Sequence, residues 1–221
     1  MIKSSTLVLW SILTSTVFSG FVIAGPEVKK SVADFSTASL VGWEPIEFNS
    51  ETKYHFVKNE GAWVLQSNSQ NSASGLIRKQ KIDIRKFPYL NWRWLAKTRL
   101  GPRNEQSKKG DDYVARIYVV VSDGWFFWQT KALMYVWSSQ GEKDAVWPNA
   151  YAPDNTLMMA IRTSKDASNT WFYEKRNVYE DLQKWLGKSI DQIDAIAIMT
   201  DTDDGHLEAS AMYGDIYFSS E

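Results

Sequence analysis

One arginine inside an apolar ribbon constrains this chain more than any other feature. Residues 111–137 read DDYVARIYVVVSDGWFFWQTKALMYVW. Tyr113 to Val121 predicts one strand and Ala132 to Trp137 a second. Asp123-Gly124 between them signals a hairpin, because glycine takes positive φ without steric cost. Strand side chains alternate between faces. Tyr113, Ala115, Ile117, Val119 and Val121 therefore share one face, and Val114, Arg116, Tyr118 and Val120 the other. Both faces are apolar enough to be covered, which leaves Arg116 a cation among hydrocarbon. A desolvated guanidinium needs a carboxylate or several acceptors. Asp111 and Asp112 stand just upstream, and Asp201 and Asp203 close a later strand-like run, Ala195 to Thr200.

The rest of the chain reads as further short strands. Gly42 to Phe48 alternates, with Pro45 marking an edge. Lys53–Val57 and Ala62–Ser67 form a pair joined by Asn59-Glu60-Gly61, and Gly75–Lys79 is extended. Tyr89–Ala96 places Leu90, Trp92, Trp94 and Ala96 on one face and Asn91, Arg93 and Leu95 on the other. Residues 98–110 and 138–156 read as long loops, Leu157–Arg162 as a strand, and Ala209–Phe218 as the last strand. Trp171–Arg176 leads into the single helix. Asn177 is its N-cap, Glu180 completes a capping box, and Gly187 ends it. Many strands with one late helix predict an all-β fold, a two-sheet jelly roll or β-sandwich. An α/β fold would need helices between the strands.

The N-terminus reads as a signal peptide, residues 1–24. Lys3 precedes an apolar run from Leu7 to Ile23, and Val22-Ile23-Ala24 suits a signal peptidase. This implies a periplasmic or secreted protein without a retained membrane anchor. Residues 25–34 are expected to be a mobile lead-in and residues 35–221 a single domain. With no cysteine, no disulfide framework holds the fold, so the 11 Trp, 10 Tyr and 10 Phe must supply the core. A net charge of −1 with mixed signs excludes a nucleic-acid surface.

Three clusters could carry chemistry. Asp111, Asp112, Asp201 and Asp203 are the candidate acids and bases, with Arg116 to orient them; paired carboxylates serve in glycoside hydrolysis. Asp201, Asp203 and Asp204 are candidate calcium ligands, with Asp111 or Asp112 able to contribute to a looser site, although the segment does not fit an EF-hand. Gly205 arrives one residue early, and Met212 stands where the bidentate glutamate belongs. A turn of self-bonded aspartates explains the same residues. Arg176 beside Asn177 and Asp181 forms the third cluster. Trp125, Trp128 and Trp147, in or near turns, are open to core packing or to stacking on sugar faces. His55 and His206 have no partner at metal-ligand spacing, and no motif for another cofactor is present.

The run Gly110-Asp111-Asp112-Tyr113-Val114-Ala115-Arg116-Ile117-Tyr118-Val119, with Trp92-Arg93-Trp94 and Tyr135-Val136-Trp137, resembles a bacterial family described as domain of unknown function 3047. Arg176–Asp181, Met199–Asp204 and Tyr213–Phe218 extend the likeness over about residues 35–218. The resemblance implies an exported single domain, similar to galactose-binding-like jelly rolls, and assigns no catalytic residue. Three functions remain open: a glycan-binding sandwich using Arg116, Trp125, Trp128, Trp147 and Arg176, a glycan hydrolase, and an envelope adaptor without a small ligand.

Overall fold

The computed structural model describes residues 28–122, 130–187 and 190–221. The expected leader and the Asp123-Gly124 turn, with Trp125 and Trp128, lie outside the described residues.

Two antiparallel-rich sheets face one another. The first contains β1 (Lys29–Ala33), β3 (Lys53–Asn59), β4 (Ala62–Gln70), β6 (Tyr89–Ala96), β11 (Phe172–Asn177) and β13 (Glu208–Ser219). Its order is β11-β6-β13-β4-β3, and β1 continues the β4 side of β13. The second contains β2 (Glu44–Asn49), β5 (Ala73–Asp83), β7 (Arg116–Ser122), β8 (Thr130–Trp137), β9 (Val146–Pro148), β10 (Thr156–Arg162) and β12 (Gln192–Asp201). Its order is β2-β5-β12-β7-β8-β10-β9, with β8 and β10 parallel. The class is a two-sheet β-sandwich.

Local sequence accounts for several junctions. β3 and β4 meet through Glu60-Gly61, both at positive φ (51° and 82°), with Asn59 opposite Ala62. That is the two-residue hairpin turn whose twist matches its strands, and glycine fits it at low cost. Helix α1 (Val178–Trp185) is capped by Asn177, whose side chain accepts the Glu180 N–H at 3.1 Å. Among the described residues no helix is long and apolar enough to cross a membrane.

The inner faces interdigitate as a two-residue period requires. Leu90, Trp92, Trp94 and Ala96 of β6 meet Ile117, Val119 and Val121 of β7, Leu133 and Tyr135 of β8, and Ile196 and Ile198 of β12 in one buried cluster. Trp92 stacks on Tyr135 with ring centroids 5.4 Å apart.

Three expectations give way. The predicted lead-in over residues 25–34 includes β1, because Val32, Ala33 and Phe35 are apolar and fully covered. The strand predicted from Tyr113 begins at Arg116. Before it the alternation slips: Val114 and Ala115 both enter the main core, while Tyr113 joins an outer cluster with Met134, Trp147 and Met158. The loop predicted over residues 138–156 contains β9, paired with β10 through Trp147 opposite Met158.

Candidate functional site

Arg116, Tyr118, Met134, Met199 and Asp201 point away from the core, on the outer face of the seven-stranded sheet. They floor a groove of ≈ 390 Å³. One wall comes from Phe48 and Asn49 of the edge strand β2, and the other from Asn149 and Tyr151 in the loop after β9.

The structure supplies the anions that Arg116 requires. Its Nη2 donates to Asp201 Oδ2, and its Nη1 lies 3.6 Å from Asp111 Oδ2. The guanidinium is also 4.9 Å from the Tyr113 ring and 5.8 Å from the Tyr118 ring. Arg116, Asp111 and Asp201 are 3, 4 and 2 % exposed, so the charges are desolvated together and each depends on the others. Arg116 Nε has no partner. Asp201 is fixed further by the Tyr113 N–H, which donates to Oδ1 at 3.1 Å. Asn149 Nδ2 donates to both oxygens of Asp111, at 3.3 and 3.2 Å. Burial nevertheless raises Asp111 to about 6, because desolvation outweighs the opposing pull of Arg116 and Asn149.

The end of β12 is pinned from within. Thr200, on its inner side, bonds Ser67 at 2.7 Å and donates to the Val114 carbonyl at 2.8 Å, and Thr202 bonds Ser69 at 2.7 Å. This hydroxyl network satisfies buried polar groups and fixes where Asp201 and Asp203 emerge.

Asp112 turns away from Arg116. Its carboxylate accepts the Asp204 and Gly205 N–H groups at 3.1 and 2.8 Å, and Arg103 at 2.9 Å. Burial still pushes it above its ordinary value. Gly205 permits this approach, since a Cβ there would stand 2.7 Å from Asp112 Oδ2. Asp203 accepts Asn49 at 3.1 Å, and Asp204 accepts the Tyr151 hydroxyl. Carboxylate oxygens of Asp112, Asp203 and Asp204 lie within 4.8 Å of one another. Of the sequence-predicted calcium candidates, Asp203 and Asp204 lie together with Asp112, while Asp201 is turned to Arg116, and protein N–H and O–H donors engage all three of the clustered carboxylates.

The other candidates are dispersed. Trp147 is 7 % exposed and packs with Tyr113 and Met158, because β9 docks it onto the sheet and leaves no free ring face. Arg176 bonds Asp181 bidentately at 2.8 and 3.0 Å and pairs with Asp144, beside the helix start and outside the groove. Phe48 and Tyr151, 68 and 54 % exposed, are the groove aromatics that sequence reasoning missed. The available signal was position: Phe48 ends an alternating edge segment that has a neighbour on one side only.

A β-sandwich with an acidic, aromatic-walled groove on one sheet is the class this geometry defines. The chain belongs to the family described as protein of unknown function (DUF3047), whose model matches residues 41–217. No curated protein matches it. Among solved structures it is similar to the family 30 carbohydrate-binding module of the cellulosomal cellulase Cel9D-Cel44B of Clostridium thermocellum. Identity is 11 %, coverage 88 % of this chain and 98 % of that one, and TM-score 0.51. A family 11 carbohydrate-binding module of the same organism, in complex with a mixed-linked tetrasaccharide, aligns at 10 % identity. It covers 86 % of this chain and 94 % of that one, with TM-score 0.47.

Proposed function

We propose that the protein is an exported glycan-binding β-sandwich whose groove on the seven-stranded sheet holds the sugar. The observation that carries this reading is the pair of exposed rings, Phe48 and Tyr151, in a groove also lined by Asn49, Asn149, Asp203 and Asp204. Ring faces give area to the apolar face of a pyranose. The carboxylates of Asp203 and Asp204 and the amides of Asn49 and Asn149 suit its hydroxyls. A carbohydrate-binding module shares the fold, which fits the reading without carrying it. Export is supported by the apolar run ending at Val22-Ile23-Ala24. Mass spectrometry of secreted protein would give a mature chain starting at Gly25, and a retained leader would refute this part.

Calorimetric titration with neutral gluco-, xylo- and manno-oligosaccharides tests binding. Covering about half of an aromatic ring contributes roughly 2 kcal/mol, so Phe48→Ala should weaken binding about 30-fold. Its stability should move by under about 0.5 kcal/mol, because the side chain is exposed. Folded wild-type protein that binds no member of the panel would sink the proposal.

One observation favours a second reading, a glycan hydrolase. Arg116 ties together two carboxylates of different character: Asp111, raised to about 6, and Asp201, held by a cation and an N–H. An acid paired with an anion is what glycosidic cleavage uses. Turnover of a bound oligosaccharide, abolished in Asp111→Asn, would establish it; binding without turnover would exclude it.

A further inference from the structure

A second concavity, ≈ 330 Å³, lies on the opposite sheet. Alternation along β6, β11 and β13 turns Asn91, Arg93, Tyr173, Lys175 and Tyr217 outward. Register sets Tyr173 beside Arg93, and Lys175 and Tyr217 on either side of Asn91. The acids at its border are already engaged. Glu174 holds Arg162 at 2.6 and 3.1 Å and the Trp94 indole at 3.1 Å. Asp215 accepts Ser36 N and Oγ at 2.7 and 2.6 Å. What faces solvent is cationic and aromatic.

Arg93 is the unusual member. Among the described arginines it alone bonds neither a carboxylate nor a carbonyl. Its one hydrogen bond runs from Nη1 to the Tyr173 hydroxyl at 3.2 Å. Rings hold it instead: its Cζ is 4.6 Å from the Trp171 centroid and 5.8 Å from that of Tyr173. Trp171 is itself anchored, donating to Asn59 Oδ1 at 2.8 Å. The rings restrain the guanidinium, and of its N–H donors only Nη1 has a hydrogen-bond partner, so a fork that fits a carboxylate bidentately is left without a protein acceptor. Lys175 Nζ is placed likewise, 4.7 Å from the Tyr89 ring centroid, and pairs with no carboxylate among the described residues. Tyr173, 70 % exposed, adds a solvent-facing ring next to Arg93.

We propose that this face is a second binding site, for an acidic saccharide. Arg93 clamps a uronate carboxylate, Tyr173 lies against the sugar ring, and Lys175 supplies the second charge. Two discrete cations among rings fit a charged sugar better than a polyphosphate backbone, which calls for a basic stripe.

Oligogalacturonide at low salt is the probe, with wild type, Arg93→Gln, Arg93→Lys and Phe48→Ala compared calorimetrically after circular dichroism confirms each fold. Wild type should bind. Arg93→Gln should lose at least about 30-fold, and Arg93→Lys about tenfold because it keeps the charge without the fork. Phe48→Ala, on the other sheet, should bind oligogalacturonide as wild type does. Neutral oligosaccharides should be indifferent to Arg93→Gln, which separates failure of this site from failure of the groove. The proposal is overturned if wild type ignores oligogalacturonide or if Arg93→Gln binds it unchanged. It is also overturned if the protein binds phosphatidylglycerol vesicles but not oligogalacturonide, which would assign the face to a membrane surface.

Discussion

Arg116 and Arg93 each project from the outer face of a sheet, and the fold treats them in opposite ways. Arg116 is sealed at the floor of an acidic groove, tied to Asp201 and Asp111. Arg93 lies between aromatic rings at the surface, with no acid attached. A buried cation is neutralised by its own protein and becomes part of the structure. A part-buried cation held by rings keeps donors that no protein acceptor takes. The molecule therefore offers two chemically opposed faces, one rich in acceptors and one rich in donors.

The largest test of this contrast is stability. Arg116→Met would strand two buried carboxylates and should cost about 3–5 kcal/mol, since breaking a buried pair leaves an uncompensated charge. Arg93→Met removes cation–π contacts and one hydrogen bond to the Tyr173 hydroxyl, and should cost about 1 kcal/mol. Urea unfolding of both variants measures the difference. Equal costs would break the distinction between a structural and a displayed arginine.

A test on the groove side alone uses pH. Asp111 is raised in the fold from 3.8 to about 6, so the native state holds its proton more tightly than the unfolded chain. That contribution is fully present below pH 3.8 and is lost as pH rises through about 6. The rise corresponds to roughly 3 kcal/mol. Asp111→Asn cannot titrate, so its destabilisation relative to wild type should shrink by roughly that amount between about pH 4 and 7. A difference flat across that range would show that Asp111 ionises normally because Arg116 and Asn149 offset burial.

These two faces were legible in the sequence to different depths. Arg116 was readable because burial leaves a cation no alternative to an anion, and Asp201 stood at the end of an apolar run able to lie alongside. Its upstream partner was readable only as one of two adjacent acids. Asp111 and Asp112 diverge because the backbone before β7 is irregular, sending one to Arg116 and the other to Arg103. Trp147 could not be placed, since nothing local announces that three residues of a long loop add an edge strand beyond β10. The Arg93 face was hidden for a related reason. Alternation put Arg93 outward with Asn91, but the aromatic partners arrive from Trp171 and β11, a segment that reads only as an approach to the helix. Strand neighbours far apart in sequence are chosen by the whole sandwich, and no local pattern encodes that choice. The groove rings show the same limit. Eleven tryptophans draw attention, yet Phe48 and Tyr151 wall the groove.

The smallest effect belongs to Lys175, and it separates display from architecture most sharply. Its ammonium rests on Tyr89 at the surface, a contact contributing about 0.5–1 kcal/mol, so Lys175→Ala should leave the unfolding midpoint nearly unchanged. If the face works as proposed, the same change should still weaken oligogalacturonide binding about threefold at low salt. An exposed charge acting on a ligand charge is screened within about 10 Å at 0.1 M salt, so the deficit should fade as salt is added. A loss that persists in high salt would mean that Lys175 acts through packing, and charge complementarity would then rest on Arg93 alone. No loss at any salt would place the ligand charge beyond its reach, next to Trp171 and away from Tyr89.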